Sequence, residues 1–287
     1  MDKGVGGVEG DRTLDLGIAN AALSQLSYHP GKGPDFTLES AGMQINPPFG
    51  YKEVAPLART AKVRLLRPGE VPEFARGLNA IPISFTEFSI ISRDYPIVFT
   101  AGPGAENFAP VAVLGIAAGE NLFIADGAWA KNSYVPAYAR RFPFCMAKVT
   151  LNQVEQQNRL ICVEKSHLDE AAGEPMFDAK GEPLQKWKDI ERMLSEYEVD
   201  LERSREMCSI LADYGLLEPF TAQAKLDAGG QMHLTGMHRV AEARLEHLNA
   251  SQLKNLVKKG AMGRIYAHLL SLENFGRLLD RRAERAA

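Results

Sequence analysis

The chain has 287 residues, with 33 lysines and arginines against 36 aspartates and glutamates, a formal charge of −3. That balance excludes a protein whose affinity for nucleic acid rests on counterion release, so nucleic acid is not an expected partner. Apolar residues make up 45% and charged residues 24%, enough for a globular core, while the longest apolar stretch, Pro110 to Ala118, falls far short of the ~20 residues of a membrane helix.

Residues 1–50 are rich in Gly, Ser, Asn and Pro, show no sustained periodicity and end in NPPFG. They are expected to form a disordered or weakly ordered extension. The run GVGGVEG (Gly4 to Gly10) misses the dinucleotide fingerprint, because its third glycine comes one place late and no strand precedes it. Asp11 to Pro30 resembles peptides produced when a gene prediction reads through a transfer-RNA gene, which would put the natural start near Met43. With no basic start, apolar run or small-residue cleavage site, the chain is expected in the cytoplasm. Cys145, Cys162 and Cys208 are odd in number and far apart, as reduced buried thiols would be.

From Tyr51 the pattern is structured. EVAPLART and AKVRLLRPGE predict short strands closed by Pro68-Gly69, and YPIVF (95–99), APVAVLGI (109–116) and the strand within AAGENLFIADGAW (117–129) predict an antiparallel meander. YVPAYARRFPF (134–144) reads as a short helix or turn, LICVEK (160–165) as a strand and MFDAKGEP (176–183) as a turn. Leu184 to Tyr214 is the clearest helix. Its apolar side chains recur three or four apart, with one polar interruption at Ser204, and Gly215 stops it. Gln231 to Ala241 predicts a strand entered from Gly229-Gly230, and two helices follow, Arg244 to Lys259 and Ala261 to Arg282. The fold class is α+β: a mainly antiparallel sheet with short helices, a long amphipathic helix and a helical C-terminal part.

Few residues carry a chemical signature. His233 and His238 are five apart in one strand and so are expected on opposite faces, and there is no HExxH or CxxC, so neither a metal nor another cofactor is expected. His268, amid Ile265, Leu269 and Leu272, reads as a packed, hydrogen-bonded histidine. No GxSxG elbow occurs, and the acids from Asp189 to Glu206 alternate with Arg and Lys as on a solvated helix face, so no catalytic residue is named. The candidate contact is Tyr134, Tyr138, Arg140 and Arg141, where two guanidinium forks beside aromatic rings could grip a carboxylate, phosphate or peptide. The plain alternative is that the rings pack in the core while the arginines pair with nearby acids. The Trp187/Tyr197 stripe of the long helix could likewise dock a second copy, though its own core is the expected occupant. A basic C-terminal end, nine bases against four acids from Arg244, offers a weaker nucleic-acid surface.

In order, FARGLNAIPISFTEF (74–88), DYPIVF (94–99), PVAVLGIAAGENLFI (110–124), YVPAYARRFPF, GEPMFDAKGEP (173–183), YGLLEPF (214–220), LTGMHRVAEARL (234–245) and IYAHLLSLENFGRL (265–278) resemble the SapC family, named for a component associated with surface-layer protein secretion. The resemblance spans Tyr51 to Arg282, and because no linker in that span is long or low in apolar content, one integrated α+β domain is expected over 51–287. The resemblance implies an accessory or binding protein for export of surface-layer or envelope proteins or for peptide handling, without known catalytic residues. The alternative is an enzyme acting on peptides or small acids, with a site assembled only in the fold.

Overall fold

The structure, a computed structural model, describes residues 12–15, 43–102, 107–151, 154–155, 159–225 and 231–286. In chain order the strands are β1 Arg12–Asp15, β2 Met43–Asn46, β3 Val54–Pro56, β4 Lys62–Val63, β5 Ala80–Pro82, β6 Ile97–Ala101, β7 Phe108–Val113, β8 Ile124–Ala125, β9 Ala128–Trp129, β10 Phe144–Leu151, β11 Val154–Glu155, β12 Leu160–Glu164, β13 Glu174–Pro175, β14 Leu217–Lys225 and β15 Gln231–Val240. The α-helices are α1 Phe88–Ile91, α2 Ala137–Arg140, α3 Gln185–Asp213, α4 Ala250–Lys258, α5 Ala261–Ser271 and α6 Asn274–Ala286.

One sheet runs β1-β15-β6-β7-β5, with β14 also on β15, and a second runs β11-β10-β12-β3, with β2 also on β10. All pairs are antiparallel except β1, which lies parallel on Met232–Thr235 of β15. The fold is therefore mixed α+β with antiparallel sheets, as the patterning predicts. Ile97 to Thr100 are all buried, the mark of a strand covered on both faces. The main core joins β5, β6 and β7 to α3, α5 and α6, and a smaller cluster gathers Val63, Phe144, Val163, Met176, Trp187 and Leu194. The stripe of α3 faces these two cores, with Trp187 in the smaller and Tyr197 and Leu201 in the larger. Its polar interruption, Ser204, is fully buried and donates to the carbonyl of Asp200 at 2.9 Å.

Several expectations are corrected. The third strand of the meander is not the 117–129 segment. Its place beside β7 is taken by β5, and the later segment folds into the small β8–β9 hairpin. Asn121 makes that turn, donating to the carbonyl of Ala75 at 2.7 Å while its side-chain oxygen accepts from Phe123 N at 2.9 Å. The last predicted helix is two, α5 and α6. The buried Asn274 side chain donates to the carbonyls of Ser92 and Tyr95 and holds the break in place. Strand β14, unpredicted, pairs along β15. Between the pairs Phe220–Met237 and Ala222–Leu234, one residue of β14, Thr221, faces two of β15, Thr235 and Gly236, and Gly236 has φ of 78°. This bulge resets the alternation so that Leu234 and Met237 both point inward, and it places His233 and His238 on the same, outer face.

Of the stretch 1–50, most lies outside the described residues, including the glycine-rich run and nearly all of Asp11 to Pro30. Its described parts are the strands β1 and β2 and the turn that brings buried Pro48 to the domain. The basic C-terminal side chains are largely engaged within the chain. Arg264 donates to the carbonyls of Phe85 and Gly260, Arg277 to that of Arg93, and Arg285 to those of Asn121 and Ile124. Lys259 pairs with Glu206, and Arg282 with Glu120. Among the described residues, no helix is long and apolar enough to cross a membrane, and no cluster of three or more His, Cys, Asp or Glu is placed to hold a metal ion.

Candidate functional site

The predicted contact block is built on a single helical turn. Pro136 enters α2 in an extended conformation, and no side chain of its own segment caps the helix. The buried Glu87 does so instead: its Oε1 accepts from Ala137 N at 2.6 Å and from the Tyr134 hydroxyl at 3.1 Å. Its Oε2 accepts from Ser84 N and Oγ at 2.9 and 2.8 Å, so one carboxylate ties two chain segments together. Ser84 to Glu87 is a capping box, and its Ser-x-x-Glu spacing is visible in the sequence.

Helical geometry then parts the two arginines. Residues three apart share a face, and consecutive residues diverge by about 100°. Tyr138 and Arg141 therefore turn inward together, while Arg140 turns out. Arg141 is 1% exposed, its guanidinium 4.1 Å from the Tyr138 ring centre, 5.1 Å from Tyr197 and 5.7 Å from Tyr51. Glu198 of α3 lies 4.0 Å away and also pairs with Arg159 at 3.2 Å. Burial pushes the Glu198 carboxyl upward against the pull of Arg159 and Arg141. Burial also pushes the Tyr138 hydroxyl up to about 12, and this hydroxyl donates to the carbonyl of Phe49 at 2.7 Å. Tyr138 and Arg141 thus belong to a buried charged cage. The reason is their position on the inward face of α2.

Arg140 is exposed. Its Nε donates to the carbonyl of Val135 at 2.9 Å and its Nη2 to the Tyr134 hydroxyl at 2.6 Å, and no carboxylate pairs with it among the described residues. The Tyr134 hydroxyl is raised to about 12 by burial and by the neighbouring Glu87.

Beside these side chains opens a cleft of about 480 Å³, within the range of small-ligand sites. Leu65, Leu66, Val71 and Pro72 form one wall, Trp129 and Val135 another, and Phe144, Ile190 and Met193 line the rest, with Arg140 and Arg141 on the α2 side. Its acid, Glu70, is spoken for: it accepts from Arg64 at 3.1 Å and from Arg67 N at 3.0 Å, and these bonds hold its carboxyl below the usual range. A second cleft of about 550 Å³ lies across the same Leu66–Pro72 wall and is lined by Lys52, Arg64, Arg76, Glu164 and His167. His167 stands with Nδ1 2.6 Å from the carbonyl of Arg64 and Nε2 2.9 Å from the Arg64 guanidinium. The first contact needs a donor and the second an acceptor, so the ring is the neutral Nδ1–H tautomer with both nitrogens occupied.

The other predicted positions are structural. His268 is fully buried, with Nδ1 2.8 Å from the carbonyl of Ile97 and Nε2 accepting from Val240 N at 3.0 Å. The three cysteines are buried free thiols, and burial raises the Cys145 thiol to about 12. Of the predicted block, Arg140 and Arg141 line the cleft, Tyr134 touches it through its bond to Arg140, and Tyr138 is buried behind it. Sequence reasoning missed Glu87, Glu198 and the Leu66–Pro72 wall, which are distant in the chain.

No curated protein and no solved structure matches the chain. The family model described as SapC matches residues 61–278, reaching from the strand that begins the cleft wall to the last helix, and the chain belongs to the SapC family.

Proposed function

We propose that this SapC-family chain is a non-enzymatic binding protein that handles peptides or envelope-protein segments, taking an apolar group into the 480 Å³ cleft beside Arg140 and Tyr134. The observation that carries this reading is the pairing of an apolar cleft with an exposed guanidinium that has no carboxylate partner among the described residues. Apolar walls supply affinity, and a few placed polar groups at the rim supply orientation. The role that the family resemblance implies, in export of surface-layer or envelope proteins, suits a protein that holds chain segments without reacting with them. The test fills the cleft. Val71→Arg and Ile190→Arg should abolish binding of immobilised apolar peptides to the purified full chain, with both variants checked for a native melting profile. A folded cleft-filled variant that binds like the parent would overturn the reading.

A further inference from the structure

We propose that the group taken into the cleft is the C-terminal residue of a peptide chain, its apolar side chain against Leu66, Val71, Trp129 and Ile190 and its free carboxylate on Arg140. This rests on the binding reading above and adds the ligand's chemistry to it. A guanidinium has five N–H donors. Arg140 uses one on Nε and one on Nη2, which leaves both hydrogens of Nη1 and one of Nη2 for an incoming acceptor. The planar fork matches a carboxylate at two points. The bonds already made to Val135 and Tyr134 hold the fork in place, so little rotamer freedom is lost when a ligand arrives.

The charge around the cleft selects the same ligand. Glu70 is engaged by Arg64 and the Arg67 amide, whereas Arg141 sets a second positive charge behind the α2 wall. The cleft therefore attracts an anion. With Arg140 the exposed cation and Arg141 1% exposed, a singly charged carboxylate is matched and a doubly charged phosphate is not. Apolar walls and an exposed cation at the α2 side call for a ligand with an apolar group and a carboxylate a few bonds apart, and a C-terminal Leu or Phe has both on one Cα. The Glu87–Tyr134 hydrogen bond places the tyrosine hydroxyl as an acceptor for Arg140, so Tyr134 is a positioning residue in this scheme.

The experiment titrates the full chain, by calorimetry or by tryptophan fluorescence, with N-acetyl-Ala-Leu-Phe as the free acid, the same peptide as its C-terminal amide, and decanoate. A charge-assisted bond is worth enough for the acid to bind about tenfold tighter than the amide. Arg140→Gln should erase the difference between acid and amide while leaving the melting temperature unchanged. Equal binding of acid and amide would overturn the carboxylate assignment and leave the cleft reading standing. Binding of decanoate tighter than the peptide acid would overturn the peptide source. If none of the probes binds, this proposal fails, and the cleft-filling variants above decide separately whether the binding reading fails with it.

Discussion

Arg140 and Arg141 are joined by one peptide bond and share charge, shape and hydrogen-bonding capacity, yet the fold puts them to different uses. Arg141 lies at 1% exposure among three tyrosine rings with Glu198 4.0 Å away, whereas Arg140 stands exposed on Tyr134 at the α2 side of an apolar cleft. A helical turn separates them by direction alone. The lesson is that a guanidinium's role is set by what neutralises it. A buried one needs a standing partner network, and an exposed one can keep donors for a ligand.

The contrast can be broken at four points. Replacing Arg141 with Ala leaves Glu198 and Arg159 in a low-dielectric site without their third member, and removing one partner of such a network costs about 3–5 kcal/mol. Urea unfolding should show this loss, and a cost below about 1 kcal/mol would place Arg141 outside the network. The next effect tests a second buried polar group, His268, whose pKa is depressed to about 4 by burial. Its folded pKa lies below the unfolded value, so the native state favours the neutral ring. The stability it contributes is fully present above about pH 6.5 and is lost as pH falls through about 4, a total of about 3 kcal/mol. His268→Gln should flatten that limb of the stability–pH curve, and an unchanged slope would show that other groups carry it. Third, Tyr138→Phe removes the bond to the carbonyl of Phe49 and should cost about 1–2 kcal/mol by thermal melts, with the cage rings retained. Finally, Arg140→Ala should change stability by less than about 0.5 kcal/mol, as exposed positions do, while weakening ligand capture. A large loss of stability there would erase the distinction between the two arginines.

Much of the fold was legible because local rules governed it. The boundaries of α3 follow from its apolar spacing and from Gly215 at φ of 63°, and β6 and β7 from short apolar runs between breakers. The failures share a cause in long-range pairing. β5 took the place of the expected third strand by pairing along β7, and Asn121 bonds back to Ala75, 46 residues earlier; no local pattern encodes either contact. The bulge at Gly236 reversed the parity argument for His233 and His238, although a glycine inside a strand pattern is itself a bulge signal. The candidate site was half legible: the Tyr–Arg block stood out by composition. Which arginine faces outward depended on a helix of four residues capped by Glu87 from another part of the chain, and proximity of that kind exists only after folding.

Helix α6 carries a mechanical consequence. Arg285 holds the carbonyls of Asn121 and Ile124, Arg282 meets Glu120 and Arg281 lies over the Phe123 ring, so its last turns grip the root of the hairpin that carries Trp129 into the cleft. A pull on the helix is therefore a pull on the cleft wall. A surface tether or affinity handle fused beyond residue 286 would load that wall directly, and force applied there offers a way to loosen the cleft without altering any residue that lines it.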